Sequence, residues 1–398
     1  MKTEQLAVNG GDPVTESSID FHRPDLGEQE LANVNATFES GWVAGPGANC
    51  EAVEENCESR WSVTRVLTMS SCTHALETAL MRLDLDENDE VIVPSYTYVS
   101  TALAVVRAGA TPVFADVSET SLTLSRDTVE DVSTHRTQAV IFVHYGGFPG
   151  PVQPIADLCE QNNWDLIEDA AQAFDSRRDN RPAGTVGRFG AISFHGTKSL
   201  TCGEGGLLLV NDESDVKPCE MIRDKGTDRS RYLRGEVDKY TWRSRGSSYV
   251  LSDIQGAVLR AQIDRWEDIR KARRRVQKEL RNAVRSLATD GDWELIEPPK
   301  SVSIRENGHL TAFLVNPPNR AQPVLEALRA EGIEAKNHYQ PLHQSPFARK
   351  ELDAVETLPV SERLASQLIR LPTHSRLSET DLEDLKKGLR KVYGGLMH

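Results

Sequence analysis

Long hydrophobic runs are absent from this 398-residue sequence, and no stretch reaches the roughly 20 apolar residues that a membrane-spanning helix needs. The N-terminus, MKTEQLAVNGGDPVTESS, lacks the apolar core of a signal peptide. These absences predict a soluble, cytoplasmic protein with no membrane partner. Hydrophobic residues make up 38% and charged residues 27% of the chain, as in an ordinary globular enzyme, and the length predicts two or three domains.

Positive charge and cysteine are also scarce. The 46 Lys and Arg residues are outnumbered by 60 Asp and Glu residues, and the resulting net charge of −14 argues against binding nucleic acid through a general basic surface. The six cysteines show neither CxxC pairs nor a zinc-type His/Cys spacing, so we expect reduced thiols and no metal site. No GxGxxG fingerprint follows an early strand, which disfavours an NAD-dependent epimerase or dehydrogenase.

The most informative stretch runs from Leu166 to Val210 and contains three short apolar runs bounded by charged residues or glycine. Such runs are typical of buried strands in an α/β sheet. Asp169 ends the first run and Lys198 follows the second, so the two should meet at one edge of a sheet. This pair suits pyridoxal 5′-phosphate (PLP), because a lysine can hold its aldehyde as a Schiff base and a carboxylate can keep its ring nitrogen protonated. Either residue alone would more often be a solvated group at a strand end.

The strings EDAAQA and SFHGTKSLTCGEGG closely resemble the DegT/DnrJ/EryC1/StrS family of sugar aminotransferases, and the likeness extends over about residues 21–370. The resemblance implies the α/β fold of a fold-type I PLP-dependent aminotransferase. A large domain with a mainly parallel sheet and an N-terminal arm would span 1–250, and a small α+β domain would span 251–398. It also implies the roles of four residues at the cofactor: Lys198 as the covalent and catalytic lysine, Asp169 at the ring nitrogen, Gln172 at the ring oxygen and Ser193 at the phosphate.

Two further segments predict cofactor contacts. A helix should begin near Thr73, where small hydroxyl residues leave free N–H groups and a helix dipole that favour an anion. An ordinary helix cap is the alternative. The resemblance implies that Thr73 and His74 hold the phosphate, through backbone groups, and that Tyr98 stacks on the ring. Without the resemblance, core packing would be the commoner role for Tyr98.

Residues 222–248 are dense in Arg, Lys and Gly, with aromatic residues among the cations. Such a loop is usually a solvated surface, but aromatic rings can stack on a base while arginine binds a diphosphate. The candidate substrate-binding residues here are Arg229, Arg231, Tyr240 and Trp242. The resemblance implies that this loop reaches the active site of a second subunit, which predicts a homodimer. Ser248 stands where the family has a phosphate-binding Asn, and we expect its hydroxyl to substitute.

His338 is the last candidate, in the segment NHYQPLH. A lone histidine is more often a packed or surface residue, but the family carries a similar segment near the active-site entrance. We therefore treat His338 as a substrate-side candidate.

Within the family, segments such as SCTHALE, KGTDRSRYLRGEVDKYTWR and GSSYVLSD most resemble the nucleotide-sugar 4-aminotransferases. The implied reaction moves the amino group of L-glutamate to C4 of a dTDP-4-keto-6-deoxy-hexose for surface-polysaccharide synthesis. Amination at C3, a UDP-linked substrate and either the galacto or the gluco product remain open. A dehydratase of the same family is disfavoured, since those enzymes replace the lysine with histidine. A non-catalytic sensor of nucleotide sugars is a further alternative.

Overall fold

Strands alternate with helices over the first half of the chain, as is typical of an α/β fold. The computed structural model describes residues 5–288, 291–298 and 302–396. The helices of these ranges are α1 Glu28–Ser40, α2 Ala48–Trp61, α3 Cys72–Leu83, α4 Ser100–Ala108, α5 Arg126–Glu130, α6 Gln153–Asn162, α7 Glu213–Arg223, α8 Arg229–Leu233, α9 Asp253–Asp264, α10 Trp266–Leu287, α11 Ala321–Ala330, α12 Pro346–Glu351, α13 Pro359–Gln367 and α14 Glu379–Leu396. The strands are β1 Arg65–Met69, β2 Glu90–Pro94, β3 Thr111–Ala115, β4 Thr137–Val143, β5 Asp165–Asp169, β6 Arg177–Arg178, β7 Arg181–Pro182, β8 Phe189–Ser193, β9 Gly206–Val210, β10 Trp293–Leu295, β11 Ile304–Arg305, β12 Thr311–Val315, β13 Lys336–Asn337 and β14 Leu368–Leu371.

A seven-stranded sheet in the order β1-β9-β8-β5-β4-β2-β3 forms the centre of the molecule. Its strands from β8 to β3 pair in parallel, while β9 runs antiparallel to both of its neighbours. Helices cover the sheet, so strands such as β2, β8 and β9 are buried throughout and read as continuous apolar runs. The mainly parallel sheet and the α/β class are confirmed.

The sheet brings the two key strand ends together. β5 and β8 are parallel neighbours, and Asp169 at the end of β5 pairs in register with Ala191 of β8. After β8 the chain makes a loop that contains Lys198 before it returns as β9. Asp169 and Lys198 therefore lie at the same carboxyl edge, where open α/β sheets bind ligands.

The C-terminal part contains an antiparallel sheet in the order β10-β12-β14-β13. Its apolar core includes Trp293 and Phe313, whose ring centroids are 4.5 Å apart. The N-terminal arm joins this core, because Leu6 and Ile19 are buried in it and Ile19 pairs in parallel with Ile333. The arm is therefore anchored on the C-terminal part of the chain.

The helices after residue 250 connect the two cores. Leu259 of α9 and Trp266 at the start of α10 pack in a core with the central sheet, whereas Val276 and Leu280 of α10 pack in the C-terminal core. The division into 1–250 and 251–398 stays a prediction, and this packing favours a boundary inside α10. None of the helices in the described ranges is both long and apolar enough to cross a bilayer.

Candidate active site

A cleft of about 580 Å³ lies at the carboxyl edge of the central sheet. Asp169 and Lys198 line it from the sheet side, and His338 and Arg370 line it from the C-terminal part. Its size falls within the range of about 300–1,000 Å³ that is usual for cofactor and ligand sites. The predicted acid and lysine thus line the same cleft.

Lys198 is half-buried in this cleft. Its loop is tightened by a hydrogen bond in which the Lys198 backbone N–H donates to the His195 carbonyl, at 2.9 Å. Burial lowers the pKa of the Lys198 amine, while the nearby Asp169 carboxylate opposes that shift. An amine that loses its proton more readily than an exposed lysine is suited to covalent and base chemistry.

Asp169 is buried, with both carboxylate oxygens hydrogen-bonded. Oδ1 accepts from the Ala171 backbone N–H at 3.1 Å, and Oδ2 accepts from the Thr101 hydroxyl at 2.9 Å. Burial raises the pKa of Asp169, and these two hydrogen bonds and the charge of Lys198 act in the opposite direction. Thr101 of α4 is a functional neighbour that sequence reasoning missed, because it lies 68 positions before Asp169.

Glu168, the residue before Asp169 on β5, holds the same strand end in place. Its carboxylate accepts hydrogen bonds from the His144 ring at 2.8 Å and from the backbone N–H groups of Gly184 and Gly187 at 3.0 and 2.8 Å. Burial alone would raise the pKa of Glu168, but these hydrogen bonds lower it overall. The buried pair of Glu168 and His144 thus fixes the backbone that carries Asp169.

Gln172 is held in place from two sides. Its Oε1 accepts from the Gly146 backbone N–H at 2.7 Å, and its Nε2 donates to the Tyr339 hydroxyl at 2.8 Å. Gln172 and Tyr339 both line the cleft. Contact between Gln172 and the cofactor ring oxygen stays a prediction that this position allows.

The start of α3 lies at the cleft, as the sequence predicts. Ser71 caps the helix by accepting from the His74 backbone N–H at 3.1 Å, and the Thr73 hydroxyl donates to Ser100 at 2.8 Å. Thr73 lines the cleft, whereas the His74 ring stacks on Tyr249 with centroids 4.2 Å apart. The N–H groups of the first turn that lack an intrahelical acceptor suit a phosphate, and the individual roles of Thr73 and His74 stay predictions.

Ser193 and Tyr98 also line the cleft. Ser193 is buried at the end of β8, and its hydroxyl accepts from the His195 backbone N–H at 3.3 Å. Tyr98 is 59% exposed, so the core-packing alternative does not hold for this chain. Its ring centroid lies 6.2 Å from that of Tyr339. An open aromatic face at this position is available to stack on a planar ligand.

The basic loop lies apart from this cleft. Arg229 pairs with Asp224 at 3.1 Å and Arg231 pairs with Glu236 at 3.1 Å, so both cations already have acidic partners within the loop. The loop candidates that reach the surface, away from the residues lining the cleft, are Tyr240, Trp242 and Ser248. Trp242 is 78% exposed. Their predicted role in a second subunit's site stays a prediction.

His338 lies in the cleft wall. Its ring stacks on Tyr339 with centroids 3.7 Å apart, and its Nδ1 shares a 2.9 Å hydrogen bond with the Tyr145 hydroxyl. Burial, with a smaller effect from Arg370, holds the pKa of His338 well below its usual range. This neutral histidine is available to a substrate only by hydrogen bonding or packing.

Sequence reasoning missed the residues that the C-terminal part brings to the cleft. Arg370 lies on β14, and His309 reaches the lysine loop through a 3.2 Å hydrogen bond with Ser199. No motif marks either residue, and each is more than 100 positions from Lys198 in the sequence. The folded chain alone places them beside the lysine.

PLP fits the residues around this cleft. A lysine amine, a buried carboxylate with two fixed oxygens, an open aromatic face and a helix N-terminus surround one space. Lys198 would hold the cofactor covalently, Asp169 would hold its ring nitrogen, and the start of α3 with Ser193 would hold its phosphate.

Comparison with known proteins agrees with this assignment. The model of the DegT/DnrJ/EryC1/StrS aminotransferase family matches residues 24–390. An uncharacterised protein of Methanocaldococcus jannaschii is 28% identical over 95% of this chain and 98% of its own length. The aminotransferase TlmJ from Streptoalloteichus hindustanus is 28% identical, with a TM-score of 0.86 over 96% of this chain and 99% of that chain.

Spr1654 from Streptococcus pneumoniae, solved in its PLP form, has a TM-score of 0.86 at 22% identity over 96% of this chain and 100% of that chain. The structural likeness confirms the fold, and the family match covers most of the sequence. The chain therefore belongs to the DegT/DnrJ/EryC1/StrS family and is a fold-type I, PLP-dependent aminotransferase.

Proposed function

We propose that this enzyme transfers the amino group of L-glutamate to C4 of a dTDP-4-keto-6-deoxy-hexose. The product would be a dTDP-4-amino-4,6-dideoxy sugar used for surface polysaccharide, such as lipopolysaccharide O-antigen. The basic loop KGTDRSRYLRGEVDKYTWR and the segment GSSYVLSD, with its Ser248, support this choice, because they resemble dTDP-4-amino-4,6-dideoxygalactose transaminase more than a general family member. L-Glutamate would leave as 2-oxoglutarate.

The position of Lys198 carries the proposal. Its amine is half-buried, its pKa is lowered by burial, and it shares a cleft with the buried carboxylate of Asp169. When bound, PLP supplies an electron sink that makes the amino-acid Cα proton acidic. Lys198 Nζ then takes that proton as a general base, and in the second half of the reaction it returns a proton to C4 of the sugar.

The other cleft residues orient the reactants. The Asp169 carboxylate, fixed by Thr101 and Ala171, would accept a hydrogen bond from a protonated ring nitrogen. Gln172 is held so that its amide lies against the cleft, and Tyr98 offers its open face. Rigid placement of this kind lowers the entropic cost of reaching the transition state.

The nucleotide part of the substrate would bind near the aromatic loop. Tyr240 and Trp242 expose rings that can stack on a base. Because this loop lies apart from the cleft of its own chain, we propose a homodimer in which Tyr240, Trp242 and Ser248 complete the partner's site. Arg229 and Arg231 would have to exchange their acidic partners to meet a diphosphate.

A C3 aminotransferase or a UDP-sugar aminotransferase is the second candidate. Both would use the same lysine and acid, so the cleft fits them equally well. A family dehydratase is disfavoured by Lys198 itself. The identity of the aminated sugar, established by NMR of the product, separates these possibilities.

The deciding experiment follows the visible absorption of the PLP-loaded protein before and after addition of L-glutamate. We expect a yellow protein that loses its colour with glutamate and then aminates dTDP-4-keto-6-deoxyglucose. Lys198→Ala should remove the covalent attachment and the base, and the base alone is worth roughly 10²–10⁴ in rate. Lys278→Ala, which removes an exposed lysine of α10, serves as the matched control. Near-normal turnover by Lys198→Ala would disprove the mechanism.

A further inference from the structure

A buried tyrosine, Tyr145, holds the ring of His338 from behind the wall of the cleft. Tyr145 lies two residues after β4, and only 1% of it is exposed. Its hydroxyl oxygen lies 2.9 Å from His338 Nδ1. The two residues are 193 positions apart in the sequence, so the fold alone brings them together.

Other contacts restrict the orientation of His338. Its ring stacks on Tyr339 at an interplanar angle of 17°, and the Tyr96 hydroxyl donates to the His338 backbone carbonyl at 2.8 Å. Tyr339 is held in turn by Gln172, whose Nε2 donates to the Tyr339 hydroxyl at 2.8 Å. The fold therefore sets the direction in which each ring nitrogen of His338 points.

The direction of the bond between Tyr145 and His338 follows from the protonation of both groups. Burial raises the pKa of Tyr145 to about 12, so the phenol keeps its proton, and burial holds the pKa of His338 well below its usual range, so the ring is neutral. The Tyr96 hydroxyl is also close to Tyr145, but its own proton is used on the His338 carbonyl. An imidazole nitrogen accepts a hydrogen bond more strongly than a phenol oxygen does. The Tyr145 hydroxyl therefore donates to Nδ1, which leaves the single ring proton on Nε2.

The protonated nitrogen faces the cleft. The two ring nitrogens of a histidine point in roughly opposite directions, so a ring whose Nδ1 faces the buried Tyr145 turns Nε2 away from it. His338 lines the cleft, and its Nε2 makes no hydrogen bond with the described residues. The charge of Lys198 acts on the His338 ring, which places this donor near the reacting amine.

We propose that Tyr145 fixes the tautomer of His338, so that Nε2–H donates a hydrogen bond to an oxygen of the keto sugar. The inference rests on the proposed function, since it requires a sugar to react at Lys198. A neutral donor suits the uncharged hydroxyl and carbonyl oxygens of a sugar, whereas the carboxylates of glutamate are held better by cations. Tyr145 is then a positioning residue that acts through His338.

The kinetic test follows the two half-reactions of the PLP-loaded enzyme separately. Glutamate removes the colour in the first, and dTDP-4-keto-6-deoxyglucose restores it in the second. Tyr145→Phe should slow the return of colour about 10-fold, because His338 Nδ1 loses its donor and the ring is no longer held in one tautomer. The loss of colour with glutamate should slow less than about threefold.

A double-variant cycle separates this role from simple packing. His338→Gln supplies an amide N–H, which has no tautomer, so adding Tyr145→Phe to it should slow the second half-reaction less than about twofold further. Tyr96→Phe removes a neighbouring buried hydroxyl that contacts the His338 backbone rather than its ring. It should slow the second half-reaction less than Tyr145→Phe does.

The tautomer is also measured directly, without any change at Tyr145. In ¹⁵N NMR of histidine-labelled, cofactor-free wild-type protein, the His338 signals are those that disappear in His338→Gln. They should show the proton on Nε2 and a hydrogen-bonded acceptor nitrogen at Nδ1.

Three outcomes overturn the inference: a wild-type proton on Nδ1, equal slowing of both half-reactions by Tyr145→Phe, or the same slowing in the His338→Gln background. A wild-type enzyme that is bleached by glutamate but stays colourless with the keto sugar would instead refute the proposed substrate. The NMR result decides the tautomer in either case, so the two failures are distinguishable.

Discussion

At the scale of single residues, the burial of Asp169 in the active site affects the stability of the folded protein. Burial raises the pKa of Asp169, so the folded protein binds the proton more tightly than the unfolded chain does. The contribution of Asp169 to stability is then greatest below the ordinary Asp pKa of about 4 and falls as the pH rises through the folded-state pKa. Above that pKa the ionised carboxylate therefore opposes folding of the cofactor-free protein.

Asp169→Asn should separate activity from stability. We expect transamination to fall at least about 100-fold, comparable to losing a preorganised charge at a reacting centre. The cofactor-free variant should unfold at the same or a higher urea concentration at pH 7, and its advantage should vanish as the pH approaches about 4. Asp165→Asn, at the other end of β5 and partly exposed, is the control that should keep activity. A large loss of stability at pH 7 would contradict this account.

At the scale of elements, the N-terminal arm is anchored by one buried ion pair. Glu331 is fully buried, accepts from the backbone N–H groups of Ala7 and Val14 at 2.8 and 3.0 Å, and pairs with Lys391 at 2.8 Å. One carboxylate thus connects the arm, the end of α11 and α14.

Lys391→Met should lower the free energy of unfolding by about 3 kcal/mol, because it leaves the Glu331 carboxylate buried without its cation. The double variant with Glu331→Gln should be less damaged than Lys391→Met alone, since the unpaired charge is gone. Urea unfolding of the cofactor-free proteins measures both values. A loss below about 1 kcal/mol in the single variant would show that the pair does not anchor the arm.

At the scale of the whole molecule, α1 has its apolar face turned outward. Leu31 and Phe38 are 66% and 56% exposed, while Glu30 and Thr37 of the same helix are buried. Trp42, just beyond the helix, is also exposed. Leu31 and Phe38 are seven positions apart and so share one face of α1. Exposed apolar side chains on one face commonly mark a protein–protein interface, and a second copy of this chain is the proposed partner.

Phe38→Glu should therefore shift the protein toward monomer, measured by analytical ultracentrifugation at micromolar concentration. A charge placed in the centre of an apolar contact loses its hydration without gaining a partner. Ala36→Glu adds the same charge to an exposed position on another side of α1 and should leave the assembly unchanged. If both variants behave alike, this face of α1 is not the interface.

Several elements of the fold, and the positions of Asp169 and Lys198 in the cleft, could be predicted from local patterns. The continuous apolar runs gave β5, β8 and β9, and the hydroxyl residues before Thr73 marked the start of α3. The short strand β13 lies at Lys336–Asn337, and Ile333 just before it pairs with Ile19 of the N-terminal arm.

The sequence by itself determined that a lysine and an acid follow neighbouring buried strands, because strand ends and helix caps depend on residues a few positions apart. Only the tertiary structure decided which distant groups complete the site. Thr101 meets Asp169, and Phe21 meets Arg370 across most of the chain length. It also left Leu31 of α1 exposed at the surface. These outcomes depend on packing between elements, where each partner's position is set by the whole fold rather than by its sequence neighbours.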